Sequence, residues 1–174
     1  DTLSGGPAIY ALSPTAAFSA FTFATFPGSG NSSGLSATAG NGVLLLGYAD
    51  MNFSNEVRAI APAAYQASLD AGTPLALSGT SVFSGYDLMD LSATNAFAIL
   101  TRGGFDMVTY DPYTTSVEKL ALTPSAQSVM VGSPVKIIDA PNRCTRVLWT
   151  VGSGTNLYVG VQDKNGRRLL KLSL

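Results

Sequence analysis

The chain has 174 residues, enough for a domain with a sizeable core, and it holds a single cysteine and no histidine. That excludes an intramolecular disulfide framework, a zinc site built from cysteines, and the side chain that most often serves as general base or metal ligand. Charged residues are 12 % of the sequence at net charge −1 and mean hydropathy +0.25, less charge than a solitary soluble monomer usually wears, and the overall sign argues against a nucleic-acid protein.

Residues 2 to 49 contain no Asp, Glu, Lys or Arg, which implies a surface that meets protein or sugar rather than bulk water. Within them, Ala8 to Leu12 and Ala17 to Phe26 read as strands, the second carrying Phe18, Phe21, Phe23 and Phe26. Strand alternation cannot point all four rings one way, so they are expected to divide between the core and a contact with another copy. Gly28 to Gly42 reads as a loop. Its Gly30-Asn31-Ser32-Ser33-Gly34 string matches a nucleophile elbow, but with no histidine in the chain it carries no chemistry. Asn31-Ser32-Ser33 and Asn52-Phe53-Ser54 are glycosylation sequons, of consequence only in a secretory pathway. Val43 to Ala49 is apolar on both parities, the pattern of a strand buried on two faces near the middle of a sheet. Ser54 can cap a helix, so the Ala-rich residues 54–71, divided by Pro62 and stopped by Gly72, are the one predicted helical excursion.

The second half reads as hairpins. Tyr86 to Leu91 and Ala96 to Thr101 are predicted strands, Arg102-Gly103-Gly104 a turn and Phe105 to Tyr110 the returning strand, with Asp111-Pro112 turning into Ser116 to Leu122. Val135 to Ile138, Thr145 to Val151, Leu157 to Gln162 and Arg167 to Leu174 follow. Gly152-Ser153-Gly154 makes one connection and Asn165-Gly166 another, the latter suited to a type I′ turn. Val147, Trp149 and Val151 share a parity, which predicts an inward face and a largely buried Trp149. On the last strand Arg168, Leu170, Leu172 and Leu174 share one parity, and Arg167, Leu169, Lys171 and Ser173 the other. Arg167 and Lys171 should therefore project together toward an acidic neighbour, such as one carrying Asp50 and Glu56. The basic stretch they belong to is real: residues 134 to 174 hold seven bases against two acids.

The expected fold is all-β: a single domain over residues 1–174, an antiparallel β-sandwich or jelly roll of about ten strands with one helical excursion at 54–71. Residues 86–122 and 135–174 each read as three strands joined by tight turns, so a propeller-like meander is the alternative architecture. No apolar run approaches the length of a membrane span. An enzyme without histidine would rest on carboxylates, yet Asp87 and Asp90, three apart on a strand, face opposite ways unless a bulge intervenes. Asp106 and Asp111 on the next hairpin complete the oxygen ligands that would suit Ca²⁺ better than Zn²⁺. No catalytic residue, metal or cofactor is assigned.

Gly42 to Gly72 resembles part of the single jelly-roll coat proteins of small icosahedral RNA viruses, through the run Gly-Val-Leu-Leu-Leu-Gly-Tyr-Ala-Asp, its acidic corner, and the excursion from Ser54 to Ala71 that follows. The resemblance implies a non-enzymatic structural subunit, a capsid or spike domain of a virion, whose partners are copies of itself and a host receptor or glycan. Phe18, Phe21, Phe23, Phe26, Arg167 and Lys171 are the residues expected at the self-contact. The basic arm common in that family has no counterpart in residues 2–49, which leaves nucleic-acid contact open. The alternative is an extracellular module, propeller-like or sandwich, that binds carbohydrate or protein.

Overall fold

Alternation of apolar and polar residues runs through most of the chain, and it folds accordingly as antiparallel strands. The computed structural model describes residues 8–12, 20–25, 34–49, 54–75, 79–140 and 145–174, with the backbone alone described at 8–12, 20–25, 34 and 48–49. In chain order the elements are β1 (Ala8–Leu12), β2 (Ala20–Thr25), β3 (Gly34–Thr38), β4 (Leu44–Ala49), β5 (Asn55–Ile60), α1 (Pro62–Ala71), β6 (Thr80–Gly85) and β7 (Leu88–Ala93). They continue with β8 (Phe97–Phe105), β9 (Pro112–Pro124), β10 (Val129–Val131), β11 (Val135–Asp139), β12 (Arg146–Ser153), β13 (Asn156–Asp163) and β14 (Gly166–Ser173). The all-β antiparallel expectation is met, with fourteen strands among the described residues rather than about ten.

The chain divides into two compact units, one of residues 1–36, 42–86 and 124–130, the other of residues 37–41, 87–123 and 131–174. In the first, β1 pairs with β2, and β3 to β6 form a sheet in chain order. β4 lies between β3 and β5 with Leu45 and Leu46 both buried, as its two-sided apolar pattern predicts. The predicted helix at 54–71 is corrected over its first half. Asn55 to Ile60 is a strand, because Asn55, Val57 and Ala59 alternate inward while Glu56 and Arg58 stay partly exposed and form an ion pair. Ser54 therefore caps nothing helical. The helix begins at Pro62, whose fixed φ suits a first turn, and ends at Gly72 in the left-handed conformation (φ 62°).

In the second unit two antiparallel sheets face each other. One has the order β9-β8-β7, with β11 also pairing β9, and the other is β12-β13-β14. Ile99 of β8 and Val117 of β9 pack with Leu157, Val159 and Val161 of β13, and Phe97, Val147, Leu170 and Leu172 close over that cluster. The packing is sandwich-like. Ala98, Leu100, Leu120 and Leu122 point to the other side of the first sheet and are also buried, so β8 and β9 are covered on both faces.

β12 runs against β7. Asp90 Oδ2 accepts from Thr150 N (3.2 Å) and Thr150 Oγ1 (2.9 Å), and Ser92 Oγ lies 2.7 Å from Thr150 Oγ1. Three turns are tied side by side at the end of these strands: Gly40 N donates to Thr94 O (3.1 Å), Asn41 N to Asn95 O (2.8 Å), and Asn95 N to Gly154 O (2.8 Å).

Two turn expectations change. Arg102-Gly103-Gly104 lies inside β8, where the register shifts between Arg102 and Gly103, and the turn falls at residues 106–111 instead. Phe105 to Tyr110 is accordingly a strand end and a loop, not a returning strand. The hairpin joining β13 to β14 is present, but its two turn residues are Lys164 and Asn165, neither with positive φ, and the left-handed position is Gly166 (φ 106°). This is the pattern of a type I turn with a G1 bulge rather than type I′. Asp163 selects it, its Oδ1 accepting from Asn165 N at 2.8 Å.

Candidate binding face

Alternation sorts the last three strands into two faces. Leu157, Val159 and Val161 of β13, with Leu170 and Leu172 of β14, point into the core. The outer face carries Tyr158, Gly160 and Gln162 on β13, flanked by Lys171, Leu169 and Arg167 on β14 and by Val151, Trp149 and Arg146 on β12. The parity expected of the last strand is thus the observed one: Arg167, Leu169 and Lys171 share the outer side.

The expectation for Trp149 is corrected. Its side chain is 44 % exposed, Val151 is exposed, and the buried residue between them is Thr150. The cause is a register shift between Val147 and Trp149, which reverses strand parity within β12. Val147 N is diverted to Thr114 Oγ1 on β9 (2.8 Å), so Val147 stays inward and Trp149 is thrown outward.

Trp149 lies across the backbone of Gly160, where a Cβ atom would sit 2.5 Å from Cε2 and 2.6 Å from Nε1 of the indole. The ring is thus supported from beneath and open above. Lys171 Nζ is 5.9 Å from the centre of the Tyr158 ring, within cation–π range. Leu169, directly opposite Gly160, is 63 % exposed. Arg168 pairs with Asp163, while among the described residues Arg146, Arg167 and Lys171 make no ion pair. The face is a flat apolar strip with an aromatic centre and a cationic rim.

Gly160→Ala should push the indole off its seat. We expect red-shifted Trp149 emission and greater iodide quenching, with stability altered by no more than about 1 kcal/mol because the ring can swing into solvent. Fluorescence with a parallel melting curve measures both.

A second exposed feature lies at the β8–β9 loop. Asp106 Oδ1 accepts from Val108 N (2.8 Å) and Thr109 N (3.0 Å), Tyr110 N donates to Asp106 O (2.8 Å), and Asp111 N donates to Thr109 Oγ1 (3.3 Å). These bonds hold Tyr110 in the left-handed region (φ 58°), an uncommon conformation for a non-glycine residue. They present Met107 (81 % exposed) and Val108 (86 %) outward, with Tyr110 beside them.

The carboxylates do not converge. Asp87 pairs with Arg102 (2.7 Å), Arg102 reaches Glu118 (3.3 Å), and Glu118 accepts from Ser116 Oγ (2.9 Å). Asp90 faces Thr150 on the other side of the sheet, and Asp106 is engaged by its own loop amides. Among the described residues no group of three or more His, Cys, Asp or Glu is gathered as a metal site, and no helix is long and apolar enough to cross a membrane. A cleft of about 90 Å³ in the first unit, lined by Ala59, Ala64, Gly79 and Gln127 among others, collects no titratable group.

Phe18, Phe26, Asp50, the Gly30–Gly34 string and the Asn31 and Asn52 sequons lie outside the described residues, except for Gly34 and Ser54. Phe21 and Phe23 lie on β2, where the backbone alone is described; Phe21 pairs with Ala11 of β1. Arg167 and Lys171 are brought together on the outer face. Leu169 stands between them as its parity predicts, while the outward Trp149 on β12 and the apolar loop at Met107 and Val108 are the features that sequence reasoning missed. Asp106 followed by Asp111-Pro112 is the signal for the loop, since Asp readily accepts from amides two and three residues on. No protein-family model, curated protein or solved structure matches the chain.

Proposed function

We propose that the protein is a non-enzymatic structural subunit that associates with copies of itself, and that the outer face of β12–β14 is its contact surface. One observation carries the reading: Trp149, Val151 and Leu169 form an open apolar strip on a sheet whose other face is packed. Aromatic and arginine side chains on a flat apolar strip, rimmed by polar groups, are the usual anatomy of a protein interface. A capsid or spike subunit of a virion is the class first expected, and sparse charge supports assembly of that kind. Support for its jelly-roll form is weaker, because each sheet follows chain order except at β11, whereas a jelly roll is built from two Greek keys.

Sedimentation velocity over a range of protein and salt concentrations tests this. The wild-type chain should form oligomers, and Arg167→Glu/Lys171→Glu should weaken association far more at low salt than at high, because exposed charges are screened over about 8–10 Å at physiological ionic strength. A wild-type chain that stays monomeric at every concentration rules the reading out.

A second reading has its own observation. The side-by-side tying of the turns at Gly40, Asn95 and Gly154, above meander sheets stacked face to face, supports a propeller-like extracellular module in which Trp149 stacks on a sugar. Retention of a monomer on a glycan array, abolished by Trp149→Ala, distinguishes it.

A further inference from the structure

The β8–β9 loop and the outer face of β12–β14 match in a way that neither explains alone. The loop, residues 106–111, carries two carboxylates, Asp106 and Asp111, and no cation, around an apolar tip of Met107, Val108 and Tyr110. The face carries three cations, Arg146, Arg167 and Lys171, and no carboxylate, around an apolar strip of Trp149, Val151 and Leu169. We infer that the loop of one copy docks on the β12–β14 face of the next, so that the self-association proposed above, on which this inference rests, is head-to-tail.

Charge complementarity selects the occupant. A second copy of the cationic face would repel its own Arg146, Arg167 and Lys171 across a two-fold axis, whereas the loop brings the opposite sign and an apolar surface together. The loop is also already ordered. Its amides are held by the Asp106 and Thr109 side chains, so docking sacrifices little loop entropy, and the exposed Met107 and Val108 exchange water for Trp149 and Leu169. Because loop and face are different patches, each bound copy leaves one of each free. Such a contact grows into rings or filaments rather than stopping at a dimer.

The experiment mixes two variants. Met107→Ser/Val108→Ser removes the apolar tip and keeps the face; Arg167→Glu/Lys171→Glu alters the face and keeps the loop. All four positions are exposed, and circular dichroism with a melting curve verifies that both variants fold. Each variant alone should associate at least about tenfold more weakly than wild type. Mixed, they should form a one-to-one heterodimer by sedimentation velocity that does not grow, since only one loop and one face remain. A charge exchange adds a second arm: Asp111→Lys should weaken association, and combining it with Lys171→Glu should restore it. Wild-type association that persists in the loop variant overturns the head-to-tail contact while leaving self-association standing. A mixture that shows no heterodimer overturns it too. A monomeric wild type removes the underlying reading itself.

Discussion

Gly152→Ala should destabilise the second unit by about 3 kcal/mol, the upper range for forcing an atom into a packed site. A Cβ on Gly152 would lie 1.6 Å from the carbonyl oxygen of Ala93 and 2.4 Å from its carbon. Both are backbone atoms of β7, so no rotamer change relieves the clash. β12 would have to back away, stretching the bonds of Thr150 to Asp90 and Ser92. Gly154→Ala is the control. Nothing lies within 4 Å of a Cβ there, and its positive φ (59°) costs only the roughly 1–2 kcal/mol of a left-handed turn residue. Urea titration of both variants should give midpoints in the order wild type, Gly154→Ala, Gly152→Ala; equal midpoints for the last two would contradict the close approach of β12 to β7.

Leu157→Ala should cost about 2–5 kcal/mol, because Leu157 has no exposed surface and stands in the cluster joining the two sheets. Leu169→Ala, on the neighbouring strand but on the outer face, should change stability by less than about 0.5 kcal/mol. Its effect belongs to association. Paired melting and sedimentation measurements separate the roles: if Leu169→Ala melts as low as Leu157→Ala, the assignment of inner and outer faces is inverted.

Period-two alternation made much of this architecture readable. Leu170, Leu172 and Leu174 against Leu169 and Lys171, the two-sided run at Leu44 to Gly47, and the stop at Gly72 all appear where pattern places them. What escaped pattern were local departures from it. At Asn55 to Ile60 an alternating strand was hidden by helix-favouring alanines and a nearby Pro62, and burial of Val57 and Ala59 overrode the helical spacing. At Trp149 one bulge, set by a hydrogen bond to Thr114 thirty-three residues away, reversed parity that no local window can register. The tied turns left a trace: Ser36-Ala37-Thr38 with Asn41, and Ser92-Ala93-Thr94 with Asn95, are near repeats leading into apolar strands. The candidate face was only partly legible, because Arg167 and Lys171 follow from alternation whereas the aromatic between the strands follows from the bulge.

The layering of consecutive meanders also dictates what a nascent chain experiences on the ribosome. β7 to β9 are synthesised before any of β12 to β14, so the side of that sheet bearing Phe97, Ile99 and Val117 emerges with its cover still unmade. Translation of residues 146–174 is therefore a sticky interval, when a pause would leave bare hydrophobic surface for chaperones to shield. The same delay holds for the outer face with Trp149, which is complete only when β14 pairs with β13 and so forms after the sheet it lies behind.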